Sequence, residues 1–314
     1  MTKKSLRIIY MGTPDFAVAS LQTLLARADV EVVGVVTQPD RPKGRGQKLM
    51  PSPVKVVAQN NSLHILQPER LKSDNVIDEL AALAPDLIVV AAFGQILPQR
   101  VLDIPPRGCI NVHASLLPRY RGAAPIEWCL INGERLTGIT TMMMDAGLDT
   151  GDMLVKREVP ITDDMILPEL YAALIDRSVD ALNETIDRIV NGTLERTKQD
   201  DSQSNYAPMI KKDTGAIDWH HSARSIHNLV RGLCGRAFAT IDDQTFKICR
   251  TRLVDNPIDP TVECECECGG VICADRRGLF IRTGDGSIEI LELQAPGSKK
   301  MSAADYLKGH RLGR

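Results

Sequence analysis

Residues 86–92 read Asp-Leu-Ile-Val-Val-Ala-Ala, a continuous apolar run without polar residues at alternate positions. A strand with one wet face would alternate, so this run predicts a strand buried on both faces, as inside a parallel sheet covered by helices. The beginning of the chain agrees. Residues 6–12, Leu-Arg-Ile-Ile-Tyr-Met-Gly, read as another buried strand ending at a glycine. A helix carrying Phe16, Val18, Leu21, Leu24 and Leu25 follows, and then a valine-rich strand over 30–37. Strand, helix and strand within about thirty residues is the βαβ unit of an open parallel sheet.

The pattern continues with a helix over 75–84, a strand over 108–112 leading into His113, a helix over 127–132 after Pro125, and a strand over 137–144. Between 167 and 190 the apolar residues Leu170, Ala173, Leu174, Leu182, Ile186 and Ile189 recur at helical spacing, which suits a long helix closing a first domain. Residues 191–208 are polar and read as a linker. Beyond them, Ser222 caps a helix to about Gly232. Short strand-like runs follow at 238–241, 245–250, 270–274, 279–283 and 288–294. The expected fold is α/β, with a Rossmann-like, open and mostly parallel sheet domain over 1–190. A linker over 191–208 would lead to a small, OB-like β-barrel domain over 209–314.

A chain of 314 residues exceeds what one core usually organises, which supports two domains. With 43% hydrophobic and 25% charged residues, its composition is that of an ordinary globular protein, and it has no long apolar run. The N-terminus passes into the first strand too soon for a signal peptide, so a cytoplasmic protein with no membrane role is expected, acting as a monomer. A net charge of −2 means that any nucleic-acid contact must come from local basic clusters. The eight cysteines show no disulfide pattern. Cys264, Cys266 and Cys268 fall at every second position and lack the Cys-x-x-Cys spacing of a metal site, so no metal is expected. His220 and His221 read as polar residues ahead of a helix.

The chemistry is concentrated between Cys109 and Asp152. Asn111 and His113, two residues apart at a strand end, point to the same face. The carboxyl ends of strands are where an open α/β sheet binds ligands. Residues 145–152, Asp-Ala-Gly-Leu-Asp-Thr-Gly-Asp, form a glycine-punctuated loop that can return a carboxylate to the imidazole. Gly12-Thr-Pro-Asp15 lacks the second and third glycines of a dinucleotide fingerprint, which argues against a nicotinamide cofactor.

Asn111, His113, Ser115-Leu-Leu-Pro118, Arg121-Gly-Ala-Ala-Pro125 and Leu148-Asp-Thr-Gly151 resemble the signature of the folate-dependent formyltransferases. Gly12-Thr-Pro-Asp-Phe16, the run from Thr37 to Gly46, and Leu49-Met-Pro-Ser-Pro-Val54 narrow the resemblance to the members that act on methionyl-tRNA. The likeness spans nearly the whole chain and is dense to about residue 155. It implies that Asn111, His113 and Asp149 are the catalytic Asn, His and Asp. It also implies that 10-formyltetrahydrofolate is the formyl donor and methionyl initiator tRNA the acceptor. The residue chemistry fits, because formyl transfer to an amine develops a negative oxygen and moves a proton. Asn111 and a protonated His113 can donate to that oxygen, and losing one such donor typically costs about 2.7 to 4 kcal/mol. Asp149 would stand beside the charged imidazole and pass a proton through water. Neither a metal nor a covalent nucleophile is needed.

Phe93, Gly94, Gln95, Ile96 and Leu97 follow the buried strand. By resemblance they line the folate pocket with Ser115, Leu116, Leu117 and Pro118. The lesser alternative is that Phe93 and Leu97 merely pack the sheet, and the two roles are compatible. Between Arg41 and Lys55 there are five basic residues and no acidic one, among glycines and prolines that discourage regular structure. The resemblance makes this the loop that enters the acceptor stem, with Arg45 in the leading role beside Arg41, Lys43 and Lys48. In the second domain, Lys211, Lys212, Arg224, Arg231, Lys247, Arg250 and Arg252 could form a basic face for tRNA, with Lys211, Lys212 and Lys247 foremost. Cys234-Gly-Arg-Ala237 stands where the family carries a turn rich in proline and tryptophan. Three other readings stay open: a formyltransferase for a small amine such as glycinamide ribonucleotide or an amino sugar nucleotide, a non-catalytic RNA-binding protein on the same fold, and a dinucleotide sensor.

Overall fold

The computed structural model describes residues 5–43, 46–254 and 266–313. The chain forms two compact units. The first comprises Met1–Pro125, Leu136–Pro160 and Tyr171–Ala207; the second comprises Ile126–Arg135, Ile161–Leu170 and Pro208–Arg314.

The first unit is built on a seven-stranded sheet. Its spatial order is Met153–Pro160, Leu136–Met143, Cys109–His113, Leu87–Ala91, Leu6–Gly12, Val30–Val36 and Ile65–Leu66. Neighbours from Cys109–His113 to Ile65–Leu66 run parallel, while Leu136–Met143 pairs antiparallel with both Cys109–His113 and Met153–Pro160. All five residues of Leu87–Ala91 are buried, as a strand covered on both faces requires. From Leu6–Gly12 the chain winds outward to Val30–Val36 and Ile65–Leu66, then returns to lay Leu87–Ala91 on the opposite side. The winding direction thus reverses between Leu6–Gly12 and Leu87–Ala91, which opens a crevice at their carboxyl ends.

One face of the sheet packs Ile9, Met11, Val36, Ile88 and Val90 with Leu80, Phe93, Leu97 and Val101. Burying each such side chain stabilises the fold by roughly 1.5 to 3 kcal/mol. The long helix Leu167–Asn191 buries Leu174, Leu182 and Ile186, and a buried hydrogen bond of 2.7 Å joins Thr185 to Thr141 of the sheet.

The stretch 191–208, expected as a linker, is bonded into the first unit up to Ala207. Thr197 pairs with Met153 through bonds of 2.8 and 2.9 Å, and Tyr206–Ala207 pairs in parallel with Arg121–Gly122. Gln199, Asp201 and Asn205 find partners elsewhere in the chain, so the lack of apolar periodicity hides an ordered segment.

The second unit is an antiparallel half-barrel. Its strands lie in the order Phe238–Ile241, Gln244–Leu253, Gly286–Gln294, Gly278–Thr283 and Val271–Asp275, with Met301–Ser302 also paired to Gly286–Gln294. The helix Ala223–Leu233 lays Ile226, Val230 and Leu233 into the same core as Phe246, Ile248, Leu279 and Ile288. Ser222 caps it, accepting from the Ser225 amide at 3.1 Å.

Ile126–Arg135 and Ile161–Leu170 belong to this unit, although they fall inside the expected first domain. Ile131 packs on its core, Trp128 Nε1 donates to the Pro208 carbonyl at 2.7 Å, and buried Arg231 donates to the carbonyls of Thr162 and Met165. No described helix is long and apolar enough to cross a membrane.

Candidate active site

Asn111 and His113 stand on the carboxyl half of Cys109–His113, flanked by the parallel strand Leu87–Ala91 and the antiparallel strand Leu136–Met143. The pleat turns both side chains to one face, leaving His113 5% exposed and Asn111 half-buried. The loop 145–152 returns Asp149 to them. Asn111 Nδ2 donates to Asp149 Oδ1 at 3.3 Å, and the Gly122 amide donates to Asp149 Oδ2 at 2.9 Å. His113 Nδ1 lies 3.7 Å from Asp149 Oδ2, too long for a direct hydrogen bond but an ion pair when the ring is protonated.

The other ring nitrogen, Nε2, meets the Tyr120 carbonyl at 2.9 Å. A carbonyl only accepts, so Nε2 carries the proton and Nδ1 is the nitrogen left for exchange. An amide has two N–H donors; one on Asn111 goes to Asp149, and the second has no partner among the described residues. Together they present one neutral donor, one titratable nitrogen and one carboxylate at the mouth of a sheet.

Backbone shape holds this arrangement. Asp149 has φ of 54°, in the left-handed region that costs a non-glycine residue about 1 to 2 kcal/mol. A Cβ on Gly151 would lie 1.9 Å from the Met143 carbonyl oxygen, so only glycine lets the loop pass. Gly122, at φ of 118°, has its absent Cβ position 2.7 Å from the Ala207 carbonyl oxygen. Gln199 Nε2 donates to the carbonyls of Asp149 and Gly151, both at 2.8 Å, and Asn205 Oδ1 accepts from the Tyr120 amide at 2.5 Å. Gln199, Asn205 and the Tyr120 carbonyl were not legible in the sequence. The two amides meet partners 48 to 85 residues away and the carbonyl is a backbone atom, and neither leaves a local pattern.

The turn after His113 is braced from below. Ser115 Oγ donates to the Arg119 carbonyl, Thr140 Oγ1 donates to the Ser115 carbonyl, and Lys156 Nζ donates to the Leu117 carbonyl. Burial holds the Lys156 ammonium below the ordinary lysine range. Burial, with Asp103 adding to it, also pushes the Cys109 thiol up to about 12, which leaves no reactive thiolate beside Asn111.

The expected folate-lining residues separate into two groups. Ser115 and Leu117 are enclosed, and Phe93 and Leu97 lie in the core. Gly94 and Ile96 are exposed, while Gln95, Leu116 and Pro118 are half-buried. Gln95 is engaged with Pro68 and Leu71. The Phe93 carbonyl accepts from Thr13 Oγ1 at 3.0 Å, which joins the two loops across the reversal of strand order. The 93–97 loop therefore rims the crevice.

Of the expected tRNA residues, Arg45 lies outside the described residues. Around it the sequence suggests no regular structure, yet Arg41–Lys43 and Lys48–Met50 form a two-stranded antiparallel ribbon. Pro42 fits because both strands of such a ribbon are edges, where its missing N–H can face outward. Arg41 and Lys48 are exposed, as are the apolar Leu49 and Met50. Lys55 is held by Asp40 at 2.7 Å.

In the second unit, Lys211, Lys212 and Lys247 are exposed and line, with Arg236, a cavity of about 800 Å³ floored by Leu233 and Phe238. Of the wider set, Arg231 is buried, Arg224 and Arg252 are paired with Asp163 and Glu289, and Arg250 is exposed. Cys264 lies outside the described residues, among which no group of three or more His, Cys, Asp or Glu is placed to hold a metal.

Comparison with known proteins matches residues 4–186 to the formyl transferase family and residues 209–311 to the formyl transferase C-terminal domain. The methionyl-tRNA formyltransferase of Geobacter sulfurreducens is 52% identical over 309 residues, covering 98% of this chain and 95% of the relative. That of Geobacter metallireducens is 52% identical over 310 residues, covering 98% and 96%. Among solved structures, the N-formyltransferase of Helicobacter canadensis in complex with folinic acid and dTDP-3-aminofucose has a TM-score of 0.67 at 22% identity. It covers 92% of this chain and 99% of that one, a likeness of fold.

Proposed function

The chain belongs to the methionyl-tRNA formyltransferases of the formyl transferase family, and from that premise we propose that Asn111, His113 and Asp149 transfer the formyl group of 10-formyltetrahydrofolate to the amino group of methionyl initiator tRNA. The observation that carries this reading is the convergence of Asn111 and His113 on Asp149, with one Asn111 N–H and His113 Nδ1 left to act.

The methionyl amine attacks the formyl carbon, a new carbon–nitrogen bond forms, and the carbonyl oxygen becomes negative. The free N–H of Asn111 donates to that oxygen, stabilising a charge absent from the ground state. His113 Nδ1 takes the proton that the amine loses, and the Asp149 carboxylate offsets the charge this leaves on the ring. When the intermediate collapses, the bond to the folate nitrogen breaks and the proton passes to that nitrogen. The balance is one formyl group in one direction and one proton in the other, so the residues need no metal.

The crevice rim at Gly94, Gln95 and Ile96, with Leu116 and Pro118, offers backbone polar groups and apolar surface for the donor. Phe93, Leu97, Ser115 and Leu117 support that rim from within. Arg41 and Lys48, with Lys43 and Arg45 on sequence grounds, would hold the acceptor end. Lys211, Lys212 and Lys247 around their cavity would hold tRNA phosphates, making the second unit the tRNA-binding part. A cytoplasmic site of action follows from a tRNA substrate.

The test is to incubate the protein with 10-formyltetrahydrofolate and either methionyl initiator tRNA or a small amine, glycinamide ribonucleotide or an amino sugar nucleotide. Formyl-methionine on the tRNA is the expected product. Turnover of the small amine alone would replace this reading with the small-substrate one.

A further inference from the structure

We propose that Gln199 is a positioning residue for the Asp149 carboxylate, and that residues 197–207 are a strap that sets both sides of the His113 ring. The proposal rests on the reading of Asp149 as a group used in the reaction.

The Gln199 amide makes a complete set of directed bonds. Its two N–H groups go to the carbonyls of Asp149 and Gly151, both at 2.8 Å, while Oε1 accepts from Arg121 Nε at 3.0 Å and Nη2 at 2.8 Å. Arg121 Nη2 also pairs with Asp201 at 2.7 Å, so the guanidinium is held by the strap itself. The next residue, Gly122, donates its amide to the Asp149 carboxylate. Arg121–Gly122 and Gln199 thus grip Asp149 from its carboxylate and its backbone together. Asp149 sits in the left-handed region, a conformation that persists only where its surroundings over-determine it. On the other side of the imidazole, Asn205 Oδ1 holds the Tyr120 amide, and the Tyr120 carbonyl accepts the His113 Nε2 proton. One segment therefore sets where the carboxylate stands and how the ring is turned.

Glutamine is the side chain that fits. Glutamate would keep the Arg121 bonds but turn an oxygen toward two carbonyls, and leucine would keep none of them.

The experiment compares the full chain with Gln199→Glu, Gln199→Leu and Asp149→Asn in steady-state kinetics, varying 10-formyltetrahydrofolate and methionyl-tRNA in turn, beside thermal unfolding. Displacing a reacting group by about 1 Å costs roughly 100-fold, so both Gln199 variants should lose turnover on that order. KM for both substrates should stay close to wild type. Gln199→Glu decides the matter if Gln199→Leu fails to fold. Wild-type turnover in Gln199→Glu beside an impaired Asp149→Asn overturns the proposal. So does a raised KM for tRNA at unchanged kcat, which would make the strap a binding element, and so does loss of folding in Gln199→Glu. Full turnover in Asp149→Asn would instead remove the reading of Asp149 on which the proposal rests.

Discussion

At the scale of single residues, Cys109, Asn111 and His113 occupy alternate positions on one strand and separate by what each atom is committed to. Cys109 is enclosed with its thiol raised by burial, whereas Asn111 and His113 keep one N–H and one ring nitrogen uncommitted. With Asn111 in the proposed role of donor to the developing oxyanion, kcat of Asn111→Ala should fall by about 100- to 1000-fold. His113→Ala should abolish most turnover. In both, KM for methionyl-tRNA should change little, and steady-state kinetics with each substrate varied will check it; parallel losses in binding and turnover would assign these residues a structural part. The pair was legible because an Asn-x-His at a strand end carries its own geometry. Its partners Gln199 and Asn205 were not, because an amide in a polar stretch looks the same whether it is solvated or bonded to a carbonyl distant in sequence.

Among the elements, the ribbon Arg41–Lys43 with Lys48–Met50 and the helix Ala223–Leu233 make the clearest tests. If Arg41 and Lys48 each meet a phosphate, neutralising either should flatten the dependence of log affinity on log salt by roughly 0.7 to 0.9. The tRNA affinities of Arg41→Ala and Lys48→Ala across several salt concentrations measure this; an unchanged slope would leave the ribbon a solvated surface. Ser222 accepts an otherwise orphaned amide at the helix start, so Ser222→Ala should cost about 1 kcal/mol. It should appear as a lower denaturant midpoint at constant slope. The apolar spacing and capping serine of that helix were legible because both are local. The ribbon was missed because Pro42 and the glycines mask a pairing that two edge strands can tolerate.

On the scale of the whole molecule, stability should depend on pH through the second unit. His227, 5% exposed, is bonded to Thr251 Oγ1 at 3.0 Å and to the Asp163 carbonyl at 3.2 Å. Burial first, with Arg231 and Arg224 adding to it against the Asp163 carbonyl and Asp164, holds its pKa below the ordinary 6.5. The unfolded chain therefore takes up the proton more readily than the folded one. The stability that His227 contributes is complete above 6.5 and is lost as the pH falls through its lowered folded value. Denaturant midpoints measured stepwise below pH 7 should decline in wild type and less steeply in His227→Gln; equal slopes would exclude this histidine as the source. The sequence by itself determined the buried parallel strands, the existence of two units, the placing of Asn111 and His113 on one face of a strand end and the family signature, because each is written in local periodicity or contiguous motifs. Only the tertiary structure decided that Ile126–Arg135 and Ile161–Leu170 join the second unit, that Leu136–Met143 runs antiparallel to both its neighbours in the sheet, and that the expected linker braces Asp149. Those outcomes depend on which surfaces and backbone groups find each other across long stretches of chain. Long-range pairing of that kind is settled by packing and hydrogen-bond satisfaction in three dimensions, and it leaves no local period to read.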